Sequence, residues 1–271
     1  MSRSKAFQRI DSVSLRPGSE PEEGKACSLR CGEAVAWGPE GIVFDMDGVL
    51  VDSEPLHVEA FESVFREIGI GSDHGIRFEE YLGGTDVAVW KDVVARYSLP
   101  YSLEELVARK RARLIQLLRR HRPFYPWIPG LIRILARRFP LAIASGSAQE
   151  IIHEVLRLGG VEGLFQVVVS SEEVSRPKPA PDTYLEAVHR LGLSPHCCLA
   201  VEDTQAGVQA AKTAGLRVLA IAHTVGVELL RQADWVVEDG RQLLWAFGIK
   251  ERDLEEIGLP EPSPEVEWRG E

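Results

Sequence analysis

The stretch GIVFDMDGVLVDSEPLH, residues 41–57, decides the reading of the fold. It opens on an apolar run, Gly41–Phe44, and stops abruptly at Asp45-Met46-Asp47-Gly48. A run without polar alternation is what a strand buried on both faces of a parallel sheet shows. The pattern recurs downstream. Leu141–Ala144 (LAIA) runs into Ser145-Gly146-Ser147, and Cys198–Val201 (CLAV) into Glu202-Asp203-Thr204. Val167–Val169 (VVV) leads through a short loop to Arg176-Pro177-Lys178-Pro179, and Val218–Ala222 and Trp235–Val237 complete the set. Helical patterns over Ile151–Leu158, Asp182–Leu191 and Thr204–Ala214 separate the later runs, the last closed by Gly215 as a C-cap. This alternation predicts a doubly wound, Rossmann-like α/β fold around a parallel sheet.

One gap interrupts the rhythm. About 95 residues separate Phe44 from Leu141, far more than a crossover helix needs. Two apolar stripes at helical spacing fill it, one of Ala60, Phe61, Val64, Phe65 and Ile68, the other of Leu103, Val107, Leu114 and Leu117. The gap closes on RPFYPWIPG, where Pro123, Pro126 and Pro129 read as a stiff hinge. The expected organisation is a poorly ordered extension over 1–38, an α/β core over 39–56 and 122–250, a helical cap over 57–121, and an acidic tail over 251–271.

The 271 residues carry a net charge of −10, and the segment Glu251–Glu271 alone holds eight acids against Arg252 and Arg269. The remainder is only mildly acidic, without the basic excess of a nucleic-acid surface. Arg109, Arg111, Arg113, Arg119 and Arg120 fit a solvated helix face. No apolar run approaches the roughly 20 residues that span a bilayer, and the first residues lack the apolar core of a secretory signal. A cytoplasmic protein without membrane or nucleic-acid partners is expected, as a monomer or weak homodimer. Cys27 and Cys31, spaced C-x3-C with no second ligand pair nearby, read as tail thiols rather than a metal site.

The polar residues at the strand ends carry the chemistry. In open α/β sheets ligands bind in the crevice at the C-terminal strand ends, so four segments deliver acids, a hydroxyl and a lysine to one rim. A carboxylate can attack phosphorus and split one difficult transfer into two easier steps. Two anions do not approach readily, and magnesium, held by one or two carboxylates, relieves the repulsion. Asp45 and Asp203 can supply those carboxylates. Lys178 can neutralise the transferring group, while the Ser145 hydroxyl and Gly146 amide can bind its oxygens. Asp47, two residues beyond Asp45, can protonate the leaving oxygen.

FDMDGVLVDSEPLH (Phe44–His57), ASGS (Ala144–Ser147), RPKPAPDTY (Arg176–Tyr184) and VEDTQAGVQAAKTAG (Val201–Gly215) resemble the four motifs of the haloacid dehalogenase superfamily. More narrowly they resemble its beta-phosphoglucomutase and sugar-phosphate phosphatase branch, over roughly Gly41 to Gly248. The resemblance implies Asp45 as nucleophile, Asp47 as acid/base, Ser145 as a phosphoryl ligand and Lys178 as the bridge to Asp45. It also implies Mg2+ held by Asp45, the backbone carbonyl of Asp47 and Asp203, with Glu202 in reach through water or one layer out. Asp47 argues against dehalogenation, because the dehalogenases typically lack that second aspartate. The small residues Ala206, Gly207, Ala210, Ala211 and Ala214 are explained by close helix packing alone.

Further candidates lie in the cap. Lys110 falls on an apolar stripe, where it either snorkels to solvent or faces the cleft to meet substrate. His57 either shuttles a proton to Asp47 or is a satisfied histidine at the domain junction. Gly84 and Thr85, in the loop Leu82–Val87, are candidate substrate contacts. In the similar mutase an arginine of this loop grips a second phosphate, and Val87 stands in its place here. The favoured expectation is therefore a Mg2+-dependent phosphatase of a small phosphorylated metabolite. A phosphomutase with the same nucleophile and a silent binding module on the same fold are the alternatives.

Overall fold

The computed structural model describes residues 38–249, together with Cys27–Ser28 and Asp253. Seven parallel strands form one sheet: β1 (Cys27–Ser28), β2 (Gly41–Phe44), β3 (Leu141–Ser145), β4 (Val167–Ser170), β5 (Cys198–Glu202), β6 (Arg217–Ile221) and β7 (Trp235–Val237). Their order, β1-β7-β6-β5-β2-β3-β4, places β2 between β5 and β3. From β2 the chain winds outward through β3 and β4, then returns across β2 to build β5, β6 and β7. The reversal makes the end of β2 the topological switch point, the place where open α/β sheets hold their ligands.

The apolar run Gly41–Phe44 is continuous because both faces are covered. Ile42 and Phe44 enter one core with α4 (Ile128–Leu135), α5 (Gln149–Leu158) and α8 (Gly240–Ala246). Val43 enters the other, with Tyr184 and Val188 of α6 (Asp182–Leu191) and Val208 and Ala211 of α7 (Gln205–Thr213). Gly215, at φ +91°, ends α7 as its spacing predicts, with Leu216 N–H donating to Ala211 O at 3.1 Å.

Between β2 and β3 lie α1 (Glu54–Glu67), a short 3-10 turn (Phe78–Tyr81), α2 (Asp86–Arg96) and α3 (Leu103–His121). They gather a third apolar cluster of their own, with Trp90 packed edge-on to Phe65 at 5.4 Å. The Pro-rich closing segment holds more structure than a hinge. Pro129 sits in the first turn of α4, where a missing N–H costs nothing, so the last residues of the segment open a helix. Just before it, Phe124 bridges antiparallel to Val51, and Asp52 N–H donates to Pro123 O at 2.7 Å. The two crossings between sheet and insertion thus run side by side.

Within the N-terminal extension, Cys27–Ser28 pairs with Trp235–Val236 as an edge strand, which composition did not signal. Cys31 and the acidic tail beyond residue 253 lie outside the described residues. Among the described residues, no helix is long and apolar enough to cross a membrane.

Candidate active site

Asp45 follows β2 directly, and its amide extends the ladder by donating to Val201 O of β5 at 2.9 Å. That bond fixes the residue at the switch point, where its carboxylate is buried. Lys178 Nζ lies 2.9 Å from Asp45 Oδ1 and 2.5 Å from Glu202 Oε1. Burial pushes the Asp45 carboxyl up to about 8, against the pull of Lys178. Burial works in the opposite sense on the Lys178 ammonium, but Asp45 and Glu202 outweigh it and raise its pKa.

Glu202 ends β5 and is enclosed on every side. It accepts from Lys178 and from the Tyr184 hydroxyl at 2.7 Å, and from the amides of Asp203 and Thr204 at 3.0 and 3.3 Å. The Thr204 hydroxyl adds a contact at 3.3 Å. Gly207 is more than a packing residue, because a Cβ there would fall 1.9 Å from Glu202 Oε1.

Ligand oxygens of Asp45, Glu202 and Asp203 lie within 4.8 Å of one another. Asp203 is fully buried; its Oδ2 accepts from the Thr224 hydroxyl, while its Oδ1 has no hydrogen-bond partner. Burial and the neighbouring Glu202 and Asp45 charges push its carboxyl well up. An orphaned carboxylate oxygen beside a second carboxylate fits a hard divalent cation. Asp45 and Asp203 are the residues suited to hold it, since the oxygens of Glu202 are already taken. Gly48 closes this corner: at φ +73°, its absent Cβ would stand 1.8 Å from Asp203 Oδ2. Its carbonyl contacts His223 Nδ1 at 3.0 Å, so the loop after β6 grips both sides of the cradle.

Asp47 heads a separate chain of polar contacts. Its Oδ1 accepts from the Ser53 hydroxyl at 2.5 Å, and its Oδ2 from the Ser147 hydroxyl at 2.8 Å. His57 Nε2 stands 3.4 Å from Oδ1. Burial alone would raise this carboxyl, but His57, Ser53 and Ser147 outweigh it and hold it well below the usual range. Behind His57, Lys110 Nζ lies 2.9 Å from Nδ1 and 2.6 Å from Asp86 Oδ1. An ammonium can only donate, so Nδ1 accepts and the ring proton sits on Nε2, facing Asp47.

Lys110 therefore takes neither course expected of it. It is fully buried, 4.6 Å over the Phe61 ring, with its charge behind the wall of the cleft rather than on it. Gly84 and Thr85 do line the cleft, together with His57 and Gly146. The Gly84 carbonyl oxygen lies 2.6 Å from where a Cβ of Gly146 would be, so the insertion loop touches the sheet edge. Ser145 is buried, and its Oγ accepts from the Ser147 amide at 3.0 Å. The arginines of α3 are largely paired: Arg109 with Glu67 and Glu105, Arg111 with Glu172, and Arg119 with Glu154.

Sequence reasoning passed over Ser53, Ser147, Asp86, Tyr184 and Thr224. Ser53, Ser147 and Tyr184 stand inside the quoted motifs, so adjacency was their signal. Asp86 and Thr224 lie outside them, and only the fold brings them in.

The sequence profile described as haloacid dehalogenase-like hydrolase matches residues 42–221. A fructose-1-phosphate phosphatase of Escherichia coli is 32% identical over 184 residues, covering 65% of this chain and 93% of its own. A phosphorylated carbohydrates phosphatase of Thermotoga maritima is 30% identical over 227 residues, covering 80% of this chain and 96% of its own. Among solved structures, CbbY of Rhodobacter sphaeroides in complex with xylulose 1,5-bisphosphate superposes with a TM-score of 0.66. It is 26% identical and covers 77% of this chain and 95% of its own.

Proposed function

Because the chain belongs to the haloacid dehalogenase-like hydrolases, we propose that it is a magnesium-dependent phosphatase of a small phosphomonoester, a sugar phosphate or similar. The observation that carries the reading is the convergence of Asp45, Lys178 and Asp203 at the switch point, with Asp47 directed to a separate hydrogen-bond network.

The Asp45 carboxylate attacks phosphorus, an O–P bond forms to Asp45, and the bond to the leaving alkoxide breaks. Asp47, which takes up a proton from solvent against the hold of His57, Ser53 and Ser147, delivers it to that alkoxide. Water then attacks the aspartyl phosphate, Asp47 takes its proton back, and phosphate and free Asp45 result. Lys178 offsets negative charge beside the transferring group, and Glu202 keeps the ammonium there. Ser145 and the Gly146 amide are the proposed phosphoryl ligands. Asp45, the Asp47 backbone carbonyl and Asp203 would hold Mg2+, which supplies charge neutralisation between nucleophile and phosphate. His57 positions Asp47 for both proton transfers, and the helical insertion acts as a cap over the leaving group.

The test is steady-state hydrolysis of a phosphomonoester panel with magnesium. Asp45→Asn is expected to lower kcat by at least about 10³-fold, as removal of a covalent nucleophile does. Undiminished phosphate release by that variant would remove Asp45 from the chemistry.

A further inference from the structure

The cleft wall that meets the leaving group is acidic. Glu54 and His57 on α1 and Asp86 on α2 face it from the insertion, with Asp47 opposite. Phe61 and Phe78 supply an apolar side, their ring centroids 5.4 Å apart. Among the described residues that line this cleft there is neither lysine nor arginine. The two nearby ammonium groups are committed elsewhere, Lys178 to Asp45 and Glu202, and Lys110 to Asp86 and His57 from behind the wall.

Glu54 differs from the other acids. Asp47 accepts from two hydroxyls and Asp86 is paired with Lys110, but Glu54 has no hydrogen bond or ion pair among the described residues. Partial burial raises its pKa, with Asp47 and Asp86 adding to the rise and His57 and Lys110 opposing it. A half-buried carboxylate without a partner is a vacant acceptor, and it repels any anion brought beside it.

We propose that the substrate's leaving group is a skeleton rich in hydroxyl or amino donors with no second phosphate or carboxylate, and that Glu54 selects it by accepting a hydrogen bond. This inference rests on the phosphatase reading above. It separates the chain from the CbbY neighbour, whose structure holds a bisphosphate. A second anion would meet the unpartnered Glu54, with no lysine or arginine on the cleft wall to offset it. A neutral hydroxyl or an ammonium would complete Glu54 instead.

The test compares glucose 6-phosphate, glucosamine 6-phosphate and 6-phosphogluconate, and fructose 1-phosphate with fructose 1,6-bisphosphate. Turnover by the wild type is measured with magnesium, and binding to Asp45→Asn by calorimetry. In both, the neutral or amino member should exceed its doubly anionic counterpart by at least about tenfold. Glu54→Gln, nearly isosteric, should shrink that ratio at least about threefold by removing the repulsion. A larger value for glucosamine 6-phosphate than for glucose 6-phosphate would identify the ammonium as the group recognised, and equal values a hydroxyl. Equal binding of the paired compounds, or a ratio unchanged in Glu54→Gln, overturns the inference. Selective binding without hydrolysis of any compound overturns the phosphatase reading and leaves the selection standing; no binding at all overturns both.

Discussion

At the scale of single residues, Glu202 and Asp203 show how neighbours in sequence acquire opposite tasks. Glu202 accepts hydrogen bonds from two side chains on other segments and from donors of its own turn, which fills the lone pairs a carboxylate offers. Asp203 keeps one oxygen unpartnered because Thr224 holds only the other. Thr224 therefore sets the orientation of the carboxylate proposed to meet the cation. Thr224→Val should weaken Mg2+ or Mn2+ binding by about 10- to 100-fold, the usual cost of losing a partner behind a metal ligand. Thr224→Ser should restore most of it; calorimetry, or the spin signal of Mn2+, reads both. Asp45, Asp47, Lys178 and Asp203 were legible because each stands where an apolar run ends or in a motif just beyond one. Thr224 and Asp86 carried no such mark. A short polar residue in a loop has no periodicity, and only the folding of distant segments gives it a partner.

At the scale of elements, α3 joins the insertion to the sheet domain through charge. Arg119 on α3 and Arg157 on α5 both pair with Glu154, whose carboxyl they hold down at about 2. A depressed native pKa stabilises the fold above the ordinary value of 4.5, and that contribution is lost as pH falls toward 2. Both arginines are more than half exposed, so the effect is modest. Glu154→Gln should lower Tm by about 1–3 °C at pH 7, with the difference from wild type shrinking between about pH 5 and 2. Strands β2 to β7 and most helices of the sheet domain were legible to within a residue or two, because burial on both faces writes an unbroken apolar run, whereas the two-residue edge strand β1 carried no such mark. Helix α4 was not. It begins at the end of a segment whose three prolines read as a hinge, and Pro129, the one inside it, is compatible with a helix because it sits in the first turn.

At the scale of the whole molecule, the site is a load on stability. Asp45, Glu202 and Asp203 are buried together, and burial and mutual repulsion raise the Asp203 carboxyl well above its ordinary 3.8. A raised native pKa means the folded state binds more protons than the unfolded one, so this contribution to stability falls as pH rises above 3.8. The metal-free protein should therefore lose Tm as pH rises above 3.8, and saturating magnesium should flatten the slope. Asp203→Asn should raise the metal-free Tm by about 2–6 °C at pH 7 while lowering activity, a trade between stability and function that calorimetry and turnover together reveal. The side-by-side crossing at Val51 and Phe124 has a different consequence. Both stretches of chain enter and leave the insertion at one place, yet α1 and α3 also reach into the sheet-side core through Leu56, Ala60, Leu114 and Leu118, so the insertion is tied to the sheet along these two helices. Descendants of such a chain that spare Ser53, His57 and those packed faces can acquire new tastes by rewriting the far wall of the cleft alone.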